Sequence, residues 1–452
     1  MRKKEQKQLP LMLNGIAHPH AKELEVIDQI LRENSIINEL VLQDLQRGDE
    51  IAATGAEGMT AEQVFRAAII KQMEGFSYET LAFHLIDSVS YRSFCKIGIA
   101  DKGYKKSTLH TNIKRISPET WEIANRVLLT GASSQGTESG KQVRIDCTVV
   151  ESNIHFPTDS SLLWDCVRVL TRLLKRAKID CGEIRYTDHT KRAKRRMLGA
   201  MSAKGKKARK QQYRDLLDVT YRTVGYVQEA LCLLEKISGT DSSNLVRIAD
   251  LRSQMVHYLG LTKRVIEQTE SRVLHGQSVP SLEKVVSIFE PHTDIIKKDN
   301  RDTYYGHKVC LTQGSSNLIT DCVVVEGNPA DTTLTEMMLD RQAAFYGSYP
   351  NKVALDGGFA SQENLKKAKE KKIKDVCFSK RCGMKIQDMC RSEYVYNKLR
   401  RFRAGIESAI SFMKRCFGFA RCTWRSFRSF KAYVWASIVS VNLLTLARKQ
   451  TA

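Results

Sequence analysis

The sequence is short of acidic residues, with 50 Asp and Glu against 72 Lys and Arg among 452 residues. The resulting formal charge of +22 favours a polyanionic partner, because contacts between basic side chains and phosphates release condensed counterions. The apolar and charged fractions are those of a folded soluble protein, and the length predicts two or three domains. We therefore expect a multidomain protein that binds nucleic acid.

The chain also lacks the patterns of a secreted or membrane protein. Its start, MRKKEQKQLP, continues into polar sequence without a leader pattern. The longest apolar segment, residues 433–447, is shorter than the roughly 20 residues that cross a bilayer and contains Ser, Asn and Thr. We expect a cytoplasmic protein, with no membrane partner, in which this segment is a buried helix of the last domain.

Cysteines at the paired two-residue spacing of zinc sites are absent too. The twelve cysteines are spread along the chain, as expected for free thiols in a reducing compartment. The closest group, Cys377, Cys382 and Cys390, does not have zinc-site spacing. Cys377 is expected to pack inside a strand.

Residues 21–130 are predicted to be all-helical. Thr60 with Gln63 forms a capping box before one helix, Gly75 ends that helix, and Ser77 caps the next. Two amphipathic helices separated by EGFS are typical either of a DNA-binding helix-turn-helix pair or of an ordinary helical bundle. The sequence pattern alone leaves both interpretations open.

Strand patterns begin after a Gly/Ser-rich segment. Alternating and β-branched residues predict a first strand at 143–152, and residues 304–312 and 317–327 predict a hairpin. Short apolar runs at 352–355 and 375–379 predict two further strands, separated by helices. This order predicts an α/β domain with a mixed sheet and helices on both faces.

These patterns divide the chain into predicted domains. Residues 1–130 form an N-terminal helical domain, and 131–141 form a linker. Residues 142–157 and 300–452 form the α/β domain, which is interrupted by a helical insertion at 158–299.

Three acids from distant parts of the chain are candidates for one site. Asp146 in VRIDCTVV and Asp356 in KVALDGGFA are each expected at a strand end. The segment RFRAGIESAISFMKR places Arg403, Glu407 and Lys414 within about 40° of each other around a predicted helix. One acid between two bases on a helix face suits binding of a metal ion together with phosphate oxygens.

With these acids in this order, the chain resembles the DDE transposases of bacterial insertion sequences, in the IS-five-like superfamily. Their third acid lies in a block of Arg, three residues, Glu, six residues and Lys, and Arg403, Glu407 and Lys414 reproduce that spacing. The similarity runs from about residue 59 to 447. It implies a ribonuclease H-like catalytic core, an N-terminal all-helical DNA-binding domain that contains the segment GFSYETL, and a helical insertion.

The resemblance also implies the chemistry. Asp146, Asp356 and Glu407 would be the catalytic residues and would bind two Mg²⁺ or Mn²⁺ ions, since these cations prefer oxygen ligands. Gly357 and Gly358 would let the backbone turn close to the substrate. Three carboxylates suffice for such a site because the scissile phosphate and water supply further ligands.

Three basic residues are candidate DNA contacts. Lys414, roughly 10 Å along the helix from Glu407, is expected to contact a phosphate. Arg403 is expected to orient Glu407 or hold the scissile strand, or else to form an ordinary helix ion pair. The family usually has a tyrosine where this chain has Arg400, which is the third candidate.

Two other basic segments have alternative interpretations. The run at 191–210 contains no acid and is predicted to contact phosphate rather than to be only a solvated helix. The alternating Arg and aromatic residues at 421–430 either stack on bases or lead into the final helix, and the second is favoured. His307 is expected to be a packed histidine rather than a ligand.

The implied function is transposition: binding of terminal inverted repeats, metal-dependent DNA cleavage, and joining of the 3′-hydroxyl ends to target DNA by at least a homodimer. One alternative is a ribonuclease H-fold nuclease that cleaves without joining, against which the N-terminal helical domain argues. The other is an inactive transposase-derived DNA-binding protein, against which the three intact acids argue.

Overall fold

A computed structural model describes residue 4 and residues 18–47, 58–98, 100–237, 242–298 and 302–451. The chain forms two compact units. The first contains residues 1–153 and 306–452, and the second contains residues 154–305. The predicted insertion at 158–299 therefore corresponds closely to the second unit, whereas the predicted boundary at 131–141 lies inside the first.

The N-terminal part of the first unit is helical where it is described, as predicted. Its helices are α1 (Pro19–Glu33), α2 (Ile36–Gln46), α3 (Ala61–Met73), α4 (Tyr78–Asp87), α5 (Val89–Phe94), α6 (Lys106–Ile113) and α7 (Pro118–Ser134). The predicted capping box begins α3: the Thr60 hydroxyl accepts from the Gln63 N–H, and the Gln63 side chain accepts from the Thr60 N–H. Gly75, at a φ of +65°, follows α3, and Ser77 caps α4.

Helix α3 is surrounded by the other helices. All 13 of its residues are buried, including the charged Glu62, Arg66 and Lys71. Arg66 is neutralised there by Glu62 at 2.9 Å and by Asp28 of α1 at 2.6 Å. Because α3 has no exposed face, the surface of the α3–α4 pair belongs to α4, and both interpretations of the pair stay open.

The predicted linker differs from the structure. Residues 131–134 form the last turn of α7, and the buried carboxylate of Glu138 orders the segment that follows. It accepts hydrogen bonds from the backbone N–H groups of Ser139, Gly140 and Ser316. A Gly/Ser-rich composition does not reveal these contacts, because one of them comes from a turn far along the chain.

The sheet is mixed, as the order of predicted strands and helices indicated. Its strands are β1 (Gln142–Glu151), β2 (Asp294–Lys298), β3 (Asp302–Gly314), β4 (Ile319–Val325), β5 (Lys352–Leu355) and β6 (Asp375–Phe378). The order is β4-β3-β1-β5-β6, and β2 also pairs with β3. Strands β4, β3 and β1 pair antiparallel, whereas β1, β5 and β6 pair parallel. This mixed sheet is consistent with a ribonuclease H-like core. The prediction missed β2, which lies in the insertion that was expected to be wholly helical.

The strand register places two of the predicted site residues side by side. Ile145 of β1 pairs with Leu355 of β5, so Asp146 and Asp356 are the next residues on adjacent parallel strands. Strand β5 ends there, as predicted for Asp356. The prediction that Asp146 ends a strand is wrong: it is the fifth of ten residues in β1, because β1 continues along β3 to Glu151.

Helices cover both faces of the sheet. They are α12 (Thr335–Tyr346), α13 (Gln362–Glu370), α14 (Ile386–Met389), α15 (Glu393–Cys416) and α16 (Phe427–Thr451). Successive residues of a strand point to opposite faces. Accordingly, Cys310 of β3 packs with α12 and α13, whereas its neighbour Leu311 packs with α16 and the N-terminal helices.

Helix α16 is the shared centre of the first unit. It contacts α1, α3, α7 and β4, and nearly all of its residues from Phe430 to Ala447 are buried. By length and composition alone, α16 could cross a membrane, so the prediction that the segment is too short is wrong for the complete helix. The prediction that the segment is a buried helix is confirmed, since 89% of the most apolar 18-residue stretch of α16 is buried inside the protein.

The second unit has a core of its own. It contains α8 (Asp159–Asp180), α9 (Thr190–Ser202), α10 (Lys206–Glu235) and α11 (Ser242–Thr269), followed by a π-helical turn at Glu270–Leu274. Apolar residues of all four helices form one cluster. The predicted helical character of this region is therefore confirmed up to the π-helical turn.

Asn442 of α16 connects the helices to the sheet. Its side-chain amide donates to Asn125 Oδ1 and to the carbonyl oxygen of Ile319, while its oxygen accepts from the Ile319 N–H. Asn442→Ala should lower the free energy of unfolding by about 2–4 kcal/mol, because it leaves buried polar groups without partners. Chemical unfolding followed by circular dichroism measures the change.

Ser440→Ala on the same helix is the matched control. The Ser440 hydroxyl is buried without a hydrogen-bond partner, so its removal should change stability by less than about 0.5 kcal/mol or increase it. Equal effects of the two substitutions would contradict the connecting role of Asn442.

Candidate active site

Helix α15 positions the third acid because its sequence has clear helix signals. The Ser392 hydroxyl caps the helix by accepting from the Val395 N–H, and Lys414 and Arg415 complement the helix dipole in the last turn. One stripe of the helix is buried against the sheet, where α15 contacts β1, β5 and β6. The buried residues are Tyr396, Leu399, Ile406 and Met413. The edge of this stripe carries Arg403 and Glu407.

The three predicted acids meet at the guanidinium of Arg403. Its Nη2 atom lies 2.5 Å from Oε1 of Glu407, one helical turn away. The same atom lies 3.0 Å from Oδ1 of Asp356 and 3.6 Å from Oδ2 of Asp146. The ion pair expected within the helix is thus present, but it is one part of a cluster of four charged groups. The structure therefore brings together all the residues predicted to be catalytic.

Asp146 lies in the most enclosed position of the cluster, with 13% of its side chain exposed. Burial raises the pKa of Asp146 to about 6, and the nearby charges of Asp356 and Glu407 act in the same direction. The Arg403 guanidinium and the Cys147 backbone N–H, 2.8 Å from Oδ1, lower this pKa without cancelling the increase. Without a bound cation, Asp146 thus holds a proton at a higher pH than an ordinary Asp does.

Asp356 has the opposite electrostatic environment. Burial raises its pKa, but hydrogen bonds from the backbone N–H groups of Gly357 and Gly358 lower it. The charge of Arg403 and the Ser379 hydroxyl, which donates to Oδ1 at 3.0 Å, also lower it. The net result is a pKa below the usual value. The predicted glycine turn therefore stabilises the charged form of the acid that precedes it.

The carboxylates have the right chemistry for Mg²⁺ or Mn²⁺, which bind hard oxygen ligands. Within the described ranges, however, no group of three or more His, Cys, Asp or Glu side chains is close enough to enclose a metal ion as it stands. The guanidinium of Arg403 contacts all three carboxylates and offsets part of their charge, so it stands in for a cation. Its Nε atom is buried without a hydrogen-bond partner. The oxygen donors therefore suit such a cation in kind, while Arg403 occupies the place between them in this structure.

A buried arginine that the sequence analysis missed fixes α15 to the sheet. Arg144, two residues before Asp146, donates to Oε1 of Gln313 at 2.8 Å, to the Phe402 carbonyl at 2.6 Å and to Oδ1 of Asn317 at 2.6 Å. Burial lowers the pKa of Arg144 to about 10. The guanidinium fits because Gly405 has no side chain, and a Cβ there would overlap it. The pattern of β1 gives no signal of this role.

The end of β6 contributes two further residues that were missed. Ser379 follows β6 and donates to Asp356, as described above. Lys380 is exposed, and its aliphatic carbons lie where a Cβ on Gly357 would be, 2.8 Å from Cγ. The apolar run at 375–379 predicted where this strand ends. Only the pairing of β6 with β5 shows that the end of β6 lies beside Asp356.

The residues predicted to contact DNA, and His307, differ in how far they are exposed. Arg400 is exposed and Lys414 is half-buried on α15, so both stay candidate DNA contacts. Base stacking by residues 421–430 does not fit the structure, because Trp424 and Phe430 are buried in the core. His307 is packed against aromatic rings there, which confirms its interpretation as a packed histidine.

Two protein-family models match the chain. The model described as Transposase DDE domain matches residues 277–443, which include Asp356 and Glu407. The model described as Transposase domain (DUF772) matches residues 16–115, which include α3 and α4. No curated protein and no solved structure matches. Asp146 lies between the two matched segments, on the strand that precedes the second unit.

Gly405→Ala tests the contact that fixes α15. The added methyl group should displace the Arg144 guanidinium from the Phe402 carbonyl, and we expect a loss of about 1–3 kcal/mol in the free energy of unfolding. Urea unfolding of the full-length protein measures it. Gly131→Ala in α7 is the control: its Cβ would enter open space, so it should be neutral or stabilising by up to about 1 kcal/mol. Equal stability of the two variants would contradict the contact.

Asp146→Asn tests the raised pKa of Asp146 in metal-free protein. Between about pH 4 and 6 the native state holds a proton that the unfolded state releases, so the free energy of unfolding falls as the pH rises through this window. The variant should therefore be more stable than wild type at pH 7, by up to about 3 kcal/mol, and equal to it below pH 4. Denaturant unfolding in EDTA across this pH range measures the difference.

Asp356→Asn is the control of opposite sign. Because the pKa of Asp356 is lowered, its charge stabilises the native state above the unfolded pKa, and that contribution is lost as the pH falls through the native pKa. This variant should be less stable than wild type at pH 7. The same direction of change in both variants would refute the assignment.

Proposed function

This chain belongs to the DDE-type transposases of insertion sequences, and from that premise we propose that it binds the inverted-repeat ends of its own element, cuts DNA there and joins the freed 3′-hydroxyl groups to target DNA. The observation that supports the proposal most is the convergence of Asp146, Asp356 and Glu407 on one nitrogen atom of Arg403. These acids come from a central strand, the end of its neighbour and a helix, in the order that the resemblance implies. We also propose the IS-five-like superfamily.

The three acids are the proposed ligands of two Mg²⁺ or Mn²⁺ ions. Such ions, when bound, activate the attacking oxygen and stabilise the charge of the leaving oxygen. Asp146 is next to Asp356 across the β1–β5 pair and contacts the same Arg403 nitrogen as Glu407, so these three side chains would hold the ions. Ser379 and the backbone N–H groups of Gly357 and Gly358 keep Asp356 ionised and oriented.

Arg403 has two proposed positions. In the absence of other cations it neutralises the carboxylates, and it is displaced when cations and DNA bind. Because a guanidinium binds phosphate oxygens in a planar, bidentate manner, the displaced Arg403 is placed to hold the scissile strand. Exposed Arg400 and Lys380 supply further positive charge around the site, and Lys414 contacts DNA farther along α15.

The proposed reaction proceeds without a covalent enzyme–DNA intermediate. Water first attacks the scissile phosphorus, and the bond from phosphorus to the 3′-oxygen of the element end breaks, which leaves a 3′-hydroxyl and a 5′-phosphate. That 3′-hydroxyl then attacks a phosphorus atom of the target strand, whose own 3′-oxygen leaves. The protein positions both attacking groups, and no side chain has to act as the nucleophile.

The N-terminal helices are proposed to recognise the element ends, with α4 as the exposed member of the α3–α4 pair. Two ends have to be held together for insertion, so we propose that the active form is at least a homodimer on DNA. The place of action is the cytoplasm, on the bacterial nucleoid. The net charge of +22 supports the binding of long stretches of DNA backbone.

Glu407→Gln should abolish cleavage and joining while DNA binding persists, because it removes one ligand charge from an exposed position. Activity should fall by at least 100-fold in Mg²⁺ or Mn²⁺. The measurement is cleavage and strand joining of labelled oligonucleotides that carry the DNA flanking the gene, compared between wild type and variant.

Glu393→Gln in the first turn of α15 is the control, since it makes the same chemical change on the same helix at a distance from the cluster. It should keep full activity. Cleavage without joining by the wild type would instead support a nuclease, and binding without cleavage would support an inactive DNA-binding protein.

A further inference from the structure

Positive charge in the second unit is concentrated on one helical hairpin. Between Asp188 and Asp215 the sequence contains eleven Lys or Arg residues and no acid. This stretch forms α9 and the first turns of α10, joined by a three-residue connection in which Gly205 has a φ of +93°. We call residues 190–214 the basic hairpin.

The two helices of the basic hairpin are packed closely and run antiparallel. Gly199 of α9 lies against Gln212 of α10, where a Cβ on the glycine would be 2.7 Å from the Gln212 side-chain oxygen. Arg196 of α9 forms an ion pair with Asp215 of α10 at 3.0 Å, about one turn farther from the connection than the Gly199–Gln212 contact. Ala193 and Met197 bury the inner face of α9. The outward-facing basic side chains therefore project from two helices that are packed closely against each other.

Most cations of the basic hairpin have no protein partner. Arg196 is paired with Asp215, and Lys210 donates to the Leu274 carbonyl. In the described part of the second unit, nine exposed cations of the hairpin have neither an ion pair nor a side-chain hydrogen bond, and these are Lys191, Arg192, Lys194, Arg195, Lys204, Lys206, Lys207, Arg209 and Arg214.

Arginines elsewhere in the same unit are arranged differently. Arg168, Arg247 and Arg272 are each paired with an Asp whose side chain is at most 8% exposed. These three arginines are thus neutralised by buried acids, whereas cations without a partner are most densely clustered on the hairpin. Since clustered like charges repel one another, this segregation costs stability unless an anion binds.

We propose that the basic hairpin is a second DNA-binding surface, which holds the phosphate backbone without reading base sequence. This inference rests on the proposed function. Helix α9 has 13 residues and is about 20 Å long, a length that matches the backbone of roughly six base pairs at 3.4 Å each. Its lysines and arginines project along that length from several sides of the helix. Such a surface adds affinity for any duplex DNA.

The same charges fit an anionic membrane surface less well. A helix that binds a membrane inserts a continuous apolar face between the lipids. The apolar face of α9 is already used, because Ala193, Met197 and Ala200 are buried against neighbouring helices. Leu198 and Met201 are exposed one turn apart, but two side chains do not make a continuous apolar face along the helix. A rigid, charged surface of this kind suits the regular phosphates of duplex DNA.

The experiment compares DNA affinity across salt concentrations for two triple variants of the full-length protein in EDTA. The test variant is Lys191→Gln/Lys194→Gln/Arg195→Gln. The control variant removes three exposed lysines outside the hairpin and has the same net charge, and it is Lys178→Gln/Lys236→Gln/Lys263→Gln. The probes are duplexes of the element end and of unrelated sequence, with anionic phosphatidylglycerol vesicles as a second ligand.

The test variant should bind both duplexes at least tenfold more weakly than the control at about 0.1 M salt. The slope of log affinity against log salt should become shallower by about 2 to 3, because each lost phosphate contact contributes about 0.9. A uniform loss on both sequences would identify a backbone contact.

Other outcomes would overturn the inference. If the wild type binds DNA and the test and control variants have equal affinity and salt slope, the hairpin is not a DNA-binding surface. That outcome leaves the proposed function unaffected. Absence of DNA binding by the wild type would refute both. Loss of vesicle binding with unchanged DNA binding would assign the hairpin to membranes. If the test variant unfolds early in a thermal melt, Lys204→Gln/Lys206→Gln/Lys207→Gln at the start of α10 replaces it, with the same expectation.

Discussion

Electrostatic repulsion among three carboxylates is the constraint around which the first unit is organised. Asp146, Asp356 and Glu407 lie close enough to share one nitrogen atom of Arg403, which is unfavourable unless positive charge lies between them. The register of β1 against β5 fixes two of the acids, and the Arg144 contact with α15 fixes the third. A rigid frame thus prevents the acids from separating and keeps the place between them suited to a cation.

Sequence patterns predicted the elements of this frame better than their contacts. Alternation in β1, the caps of α3 and α4 and the spacing of Arg403 and Glu407 are local signals, and the structure agrees with them. The role of Arg144 depends on a turn and a helix far along the chain, so no local pattern marks it. The misplacement of Asp146 at a strand end has another origin, because the local strand pattern at 143–152 already extended beyond Asp146.

The second unit separates β1 from the rest of the sheet by about 150 residues of sequence. Closing such a connection costs little extra free energy, since loop entropy grows only with the logarithm of length. The pairing of β1 with β3 and β5 nevertheless requires distant segments to meet, which slows folding. A helical insertion with its own apolar core suits this position, because it can fold locally while the strands on either side find each other.

The position of α16 affects the order of events during synthesis. Helices α1, α3 and α7 leave the ribosome well before α16, the helix that completes their core. At 5 to 20 residues per second, roughly 15 to 60 seconds pass between the synthesis of α7 and that of α16. Throughout this interval the apolar surfaces of α1, α3 and α7 that contact α16 lack their partner, so a nascent chain depends on chaperones for longer than its helical content suggests.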